Sequence, residues 1–216
     1  MSLALFDLDD TLIDGDCASL WSQYMLTLGW AQRDGFVQRE QALMLQYRQG
    51  TLSMEEYMSF TLEPLIGRST DEVAQCVEAF IDEAIVPCIR EPARRCIAEH
   101  QRRGDRNVII SASGEHLVTP IARRFGVAET LSIQLEVYDD SYTGKTCGVL
   151  TYREGKVSRL LDLIEGKESM LAQASFYSDS CNDLPLLSQV GYPYAVNPDG
   201  ILLRHAQQAG WPVLQW

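Results

Sequence analysis

Several function classes are closed to this sequence by what it holds little of. It has three histidines, His100, His116 and His205, and they do not cluster with cysteine, which argues against a zinc centre. Its six cysteines, at 17, 76, 88, 96, 147 and 181, include no C-x-x-C pair. In a chain of this size they read as free thiols of a reducing compartment. No apolar run approaches the roughly 18 residues of a membrane span. The N-terminus lacks a basic flank and carries Asp7, Asp9 and Asp10, so it does not read as a signal peptide. Positive charge is scarce too: 18 Lys and Arg face 30 Asp and Glu, a net charge of −12. Such a surface repels a phosphate backbone and anionic lipid, so neither nucleic acid nor membrane is expected as a partner. The expected location is cytoplasmic.

What is present is an ordinary globular composition, 46 % apolar and 22 % charged in 216 residues, enough to bury a core without staples. Leu3–Phe6 reads as a short buried strand that runs directly into Asp7-Leu-Asp-Asp-Thr11. From Cys17 to about Val86 the pattern is helical, with Trp21, Tyr24, Met25 and Leu28 on one face. Gly29, Gly35, Gly50 and Pro64–Gly67 interrupt it, and Ser53-Met-Glu-Glu56 resembles a capping box. After Pro87, helices alternate with strands. Strands are expected at 107–111, 174–178, 192–196 and 211–215, a hairpin over 130–149, and helices at 92–103, 114–125, 156–164, 183–190 and 200–208. The expected fold is α/β, a Rossmann-like, mostly parallel sheet with helices on both faces and an inserted all-α cap. The core would be residues 1–14 and 88–216, the cap residues 15–87.

Ligands of open α/β sheets bind at the carboxyl ends of the strands. There the sequence places Asp7, Asp9 and Thr11 after the first strand, Ser111 and Ser113 after the second, and Asp179, Asn182 and Asp183 after a later one, with Lys156 on the preceding helix. Several acids and one lysine suit a hard divalent cation such as Mg²⁺, which takes one or two carboxylates plus phosphate and water oxygens. A carboxylate beside it can attack phosphorus, and a second carboxylate two residues on can protonate the leaving oxygen and then activate water.

These motifs resemble those of the haloacid dehalogenase superfamily, in particular its phosphoserine-phosphatase-like subfamily IB. Asp7-Leu-Asp-Asp-Thr11 is similar to the D-x-D-x-T motif, Ser111 to the second motif, Lys156 to the third, and Asp179-Ser-Cys-Asn-Asp183 to the fourth. Two departures are visible. Ser178 and Ser180 stand where the fourth motif usually has glycine, and the second motif reads Ser-Ala-Ser-Gly. The resemblance implies Asp7 as nucleophile and metal ligand, and Asp9 as general acid and base that also binds metal through its carbonyl. It implies Asp179 as a further metal ligand, Asp183 as metal support through water, and Ser111 and Lys156 as phosphate-binding groups. The helical insertion would close over the substrate.

An acid at position 9 fits a phosphatase or mutase. The insertion has only Arg33, Arg39, Arg48 and Arg68 and no lysine to hold a bisphosphate, which favours hydrolysis. Asp16 falls where the resemblance implies an acid for a substrate ammonium, and it also reads as a helix N-cap. The stretch Met58–Leu62 lacks the arginine that the resemblance to phosphoserine phosphatases implies for a substrate carboxylate. The expected substrate is thus a small, amine-bearing phosphomonoester, first of all histidinol phosphate. Phosphoserine, or transfer of the phosphoryl group to an acceptor alcohol, is the alternative. Ser111 or Ser113 could instead cap the following helix, Glu115 and His116 read mostly as a solvated first turn, and Cys181 as an inert thiol. Trp21, Trp30, Tyr24 and Phe60 read mostly as core, with one or two free to line the leaving-group pocket.

Overall fold

Four consecutive apolar residues form β1 (Leu3–Phe6), buried on both faces. The computed structural model describes residues 2–31, 33–49 and 51–216. Gly50, and the side chains of Arg33 and Arg48, lie outside the described residues. Around β1 stand β2 (Arg106–Gly114), β3 (Glu129–Tyr138), β4 (Ser141–Cys147), β5 (Ser175–Ser178), β6 (Tyr192–Val196) and β7 (Val213–Leu214). They form a sheet of order β4-β3-β2-β1-β5-β6-β7. Neighbours are parallel except β3 and β4, which make an antiparallel hairpin. Its turn residues, Asp139 and Asp140, both have positive φ (48° and 56°), as a tight two-residue turn requires. The chain leaves β1 for β2 on one side and reaches β5 on the other, so the switch point lies at the carboxyl end of β1.

Alternation along the strands sends successive side chains to opposite faces. Leu3, Leu5, Val108, Ile110 and Phe176 pack with Leu160 of α7 (Glu154–Leu163) and Leu202 of α9 (Gly200–Ala209). Ala4, Phe6 and Ile109 pack with Ile97 of α5 (Glu91–Arg102) and with Leu117 and Ile121 of α6 (Glu115–Arg124). The second face continues into the insertion, formed by α1 (Cys17–Thr27), α2 (Arg33–Arg48), α3 (Met54–Leu62) and α4 (Thr70–Phe80). Trp21, Met25, Leu43, Tyr57 and Phe80 belong to the same apolar cluster as Phe6. Ser53 caps α3 as read, accepting from Glu56 N at 3.2 Å, and Ser69 caps α4.

Two features depart from the sequence reading. The helix expected over 183–190 contracts to a 3-10 turn (Cys181–Asp183), whose Asp183 is held by the site below, and one helical turn, α8 (Leu184–Leu187), which Pro185 opens in its first turn. The insertion is also tied to the edge strand by backbone bonds. Gly67 N donates to Tyr142 O, Tyr142 N to Arg68 O and Thr70 N to Asp140 O, each at 2.9 Å. Among the described residues no helix is long and apolar enough to cross a membrane.

Candidate active site

Asp7 begins where β1 ends, with its backbone N still bonded to Tyr177 O at 2.9 Å. The chain then turns back on itself. Leu12 and Ile13 N both donate to Leu8 O, and Asp10 takes a φ of 53°. This tight loop presents Asp7, Asp9 and Thr11 to the carboxyl ends of β2 and β5.

Lys156, 2 % exposed on α7, donates to Asp7 Oδ1 at 2.8 Å and to Asp183 Oδ1 at 2.7 Å. Asp183 Oδ2 also accepts from Ser178 Oγ at 2.7 Å, so the serine that replaces a glycine here holds the acid. Thr11 Oγ1 donates to Asp179 Oδ1 and accepts from Asp179 N, both at 3.0 Å, which fixes that loop against the first. Asp9 Oδ1 accepts from Cys17 N at 2.7 Å. Its Oδ2 accepts from Ser113 Oγ at 2.9 Å and Ser111 Oγ at 3.2 Å. Neither serine caps α6; the pairing of β2 with β3 shifts between Ile110 and Gly114, and both hydroxyls turn to Asp9 instead. Asp7, Thr11, Lys156, Asp179 and Asp183 are thus joined by hydrogen bonds, and Asp9 with Ser111 and Ser113 forms a second bonded group close enough for its charge to act on Asp7.

The electrostatics mark a site short of positive charge. Burial, then Asp183 and Asp9, outweigh Lys156 and push Asp7 up to about 7. Asp179 is raised well above the usual carboxylate range by burial and by Asp7. Burial alone would lower Lys156, but Asp183 and Asp7 override it and hold the ammonium charged. Four carboxylates around one lysine therefore fit a hard cation, and every donor is oxygen. Among the described residues no three Asp, Glu, His or Cys side chains form a ready-made cage. A magnesium ion does not need one, because water and substrate oxygens complete its shell.

Asp16 caps α1, accepting from Ser19 N at 2.6 Å, and also faces a cavity. The cavity is about 20 Å³, room for little more than one water, and is lined by Asp9, Asp16, Met44, Tyr47, Met54, Tyr57, Ala112 and Ser113. Burial and Asp9 raise Asp16 to about 8. A wider cleft of about 310 Å³ reaches Asp9 and Asp179 from outside, past Asp10, Arg90 and Asp199. The expected aromatics do not line the small cavity. Trp21 is core and Trp30 and Phe60 border a separate groove. Tyr47 and Tyr57 take the place, and the repeated M-x-x-Y of Met44–Tyr47 and Met54–Tyr57 was the signal for it. Asn182 links the insertion to the site: its Nδ2 donates to Tyr47 O at 3.2 Å, while its Oδ1 accepts from Tyr152 OH at 3.1 Å.

Glu115 and His116, expected as a solvated first turn, are only partly exposed. Glu115 accepts from Leu135 N at 2.9 Å, and both ring nitrogens of His116 are buried without a hydrogen-bond partner, near Trp21 and Tyr142. Cys181 is pushed up to about 11 by burial and by Asp199, which keeps its thiol protonated.

Comparison with known proteins places this geometry. Residues 4–188 match the family described as haloacid dehalogenase-like hydrolase. The chain is 37 % identical to a histidinol-phosphatase of Neisseria meningitidis, over 100 % of this chain and 99 % of that one. It is 31 % identical to a probable phosphatase of Mycobacterium tuberculosis, over 99 % of this chain and 75 % of the other. A crystal structure of a protein of unknown function from Bordetella pertussis superposes with a TM-score of 0.90 at 35 % identity, covering 99 % and 97 % of the two chains. A phospho-aspartyl intermediate analogue of phosphoserine phosphatase shares the fold, with a TM-score of 0.72 at 20 % identity over 99 % and 92 %. The chain belongs to the haloacid dehalogenase-like hydrolases, as a phosphatase of that family.

Proposed function

We propose that this phosphatase hydrolyses a small, amine-bearing phosphomonoester, histidinol phosphate, with Mg²⁺ and through an aspartyl-phosphate on Asp7. One observation carries the reading. Buried Asp7 is gripped by Lys156, and Asp9, two residues on, faces a cavity that holds the Asp16 carboxylate and, among its described lining residues, no cation.

Asp7 attacks phosphorus, forming the Asp7 O–P bond as the bond to the leaving oxygen breaks. Asp9 gives that oxygen its proton. The resulting carboxylate then takes a proton from water, which attacks the phosphoaspartate, returns Asp7 and releases phosphate. Ser111 and Lys156 hold phosphoryl oxygens, Ser111 exchanging Asp9 for the substrate. Asp7, Asp179 and the Asp9 carbonyl would hold magnesium, with Asp183 reaching it through water because Lys156 and Ser178 occupy its oxygens. Bound there, the ion supplies positive charge that stabilises the transferring group. Residues 15–87 act as a cap over a core of 1–14 and 88–216, and the cytoplasm is the site of action.

Asp16 receives the ammonium. In the small cavity a substrate carboxylate would meet Asp9 and Asp16 and no arginine, while Arg90 on the wider cleft is already engaged by Asp14 and by the Ile13 and Trp216 carbonyls, which weighs against phosphoserine. The relative named histidinol-phosphatase supports the same choice. The test is phosphate release, with Mg²⁺ and with chelator, from histidinol phosphate, phosphoserine, a sugar phosphate and a nucleotide. A preference for histidinol phosphate of at least about tenfold in kcat/KM is expected. A preference for phosphoserine would refute the substrate assignment, and new phosphoester formed on adding acceptor alcohols would make the enzyme a transferase.

A further inference from the structure

Asp16 accounts for an amine but not for a shape, since a lone carboxylate accepts any ammonium within reach. The rest of the cavity sets the shape. Met44 and Tyr47 lie one turn apart on α2, and Met54 and Tyr57 one turn apart at the start of α3, so each helix contributes one thioether and one phenol ring to the same wall. The floor is Ala112 and Ser113 of β2 and Asp9 of the loop after β1. Tyr47 is braced on two sides. Its carbonyl is held by Asn182 and its ring lies 5.9 Å from that of Tyr152. Tyr57 is 5 % exposed. Burial first, then Asp7, Asp183 and Asp179, raise the Tyr47 phenol, while burial, Asp16, Glu40 and Asp9 raise that of Tyr57, so both hydroxyls stay protonated beside the acids. Asp9, Asp16, Met44 and Tyr47 also line the cleft of about 310 Å³, so a leaving group that enters by the cleft meets the two rings where only about 20 Å³ is free.

We propose that Tyr47 and Tyr57 are specificity-determining residues that select a planar ring on the amine-bearing leaving group. A thin ring needs the least displacement, gains aromatic contact on its faces, and places its ammonium between Asp16 and electron-rich rings. Met44 and Met54 fill the remaining gap because thioethers adapt to irregular space. This inference rests on the phosphatase reading above.

The test compares kcat/KM for histidinol phosphate, which carries amine and ring, with phosphoethanolamine, which carries the amine alone. In Tyr47→Leu and Tyr57→Leu the ratio of the two is expected to fall at least about tenfold, and in Tyr47→Phe and Tyr57→Phe to stay within about threefold. A second arm needs no turnover: calorimetric binding of histidinol and ethanolamine to the unsubstituted protein and to each folded variant. Histidinol is expected to bind the unsubstituted protein at least about tenfold more tightly, a margin the Leu variants lose. Equal losses on both substrates in the Leu variants, or Phe variants as impaired as Leu, would overturn the proposal, as would equal binding of the two alcohols by the unsubstituted protein. If neither phosphomonoester is hydrolysed with Mg²⁺, the phosphatase substrate reading fails, and the binding arm still decides the role of the rings.

Discussion

Asp7→Asn should abolish phosphate release and yet make the metal-free protein more stable. The reason lies in the folded environment of the carboxyl, which burial, Asp183 and Asp9 push from 3.8 up to about 7. An acid whose pKa is higher in the folded state binds its proton more tightly there than in the unfolded chain. Its contribution to stability is therefore intact below about 3.8 and is lost as the pH rises through about 7. Full ionisation costs about 4 kcal/mol, at about 1.4 kcal/mol per pH unit. Part of that is already incurred at pH 5, where the unfolded acid is ionised and the folded one is not. Between pH 5 and pH 8 the advantage of Asn over Asp should grow by about 2–3 kcal/mol, or about 5–10 °C in Tm for a chain of this length. Asn keeps an acceptor for Lys156, and Lys156 keeps Asp183, so the comparison is not confounded by an orphaned ammonium. The assay is urea unfolding of both proteins in chelator across that pH range, repeated with saturating Mg²⁺. Metal should stabilise the parent more than the variant and shrink the gap. A difference between the two proteins that is flat, or that falls as the pH rises, would refute the account of a carboxylate cluster short of cations. Residual turnover above a tenth of the parent would remove Asp7 as nucleophile.

His116 is lowered to about 3 by burial, so its contribution is intact above about 6.5 and lost as the pH falls towards 3. His116→Leu should flatten the acid side of the stability profile between pH 6.5 and 4 by a few kcal/mol, read by thermal melting; an unchanged slope would mean the ring is solvated. Thr11→Val should leave the Asp179 amide unpaired at a cost of about 1–3 kcal/mol and weaken Mg²⁺ binding measured by calorimetry. Unaltered metal affinity would separate Thr11 from the cation site.

The parts legible in the sequence are those governed by local pattern. A four-residue apolar run ending in Asp7, the alternation after Pro87 and the acids after 178 were enough to place β1, β5 and their loops at one switch point. Less legible were features decided by distant partners. The sequence leaves a helix cap open for Ser111 and Ser113 beside the phosphate role of Ser111, and only the strand pairing with its shift turns both to Asp9, on a loop about a hundred residues away. The pairing of residues 67–70 with β4 involves no side-chain pattern at all, only free backbone groups on an edge strand. The helical period alone does not single out Tyr47 and Tyr57, because burial against an apolar core and burial against a polar cavity leave the same period; only the repeated M-x-x-Y does.

That backbone stitching at the edge strand has a mechanical consequence. With Gly67, Arg68 and Thr70 bonded to the hairpin, α4 is rooted in the sheet and travels with it. The helices that carry the cavity wall are α2 and α3, and two irregular points bound the segment α1 to α3. One is Gly15, at a φ of 136°, and the other is the 3-10 turn Glu63–Leu65 with its proline. Any widening of the cavity is then a displacement of α2 and α3, with α4 and the α1 face packed on it as the frame. In hydrogen exchange the amides of Gly67, Thr70 and Tyr142 should keep time with the sheet, while those of α2 and α3 keep time with catalytic turnover.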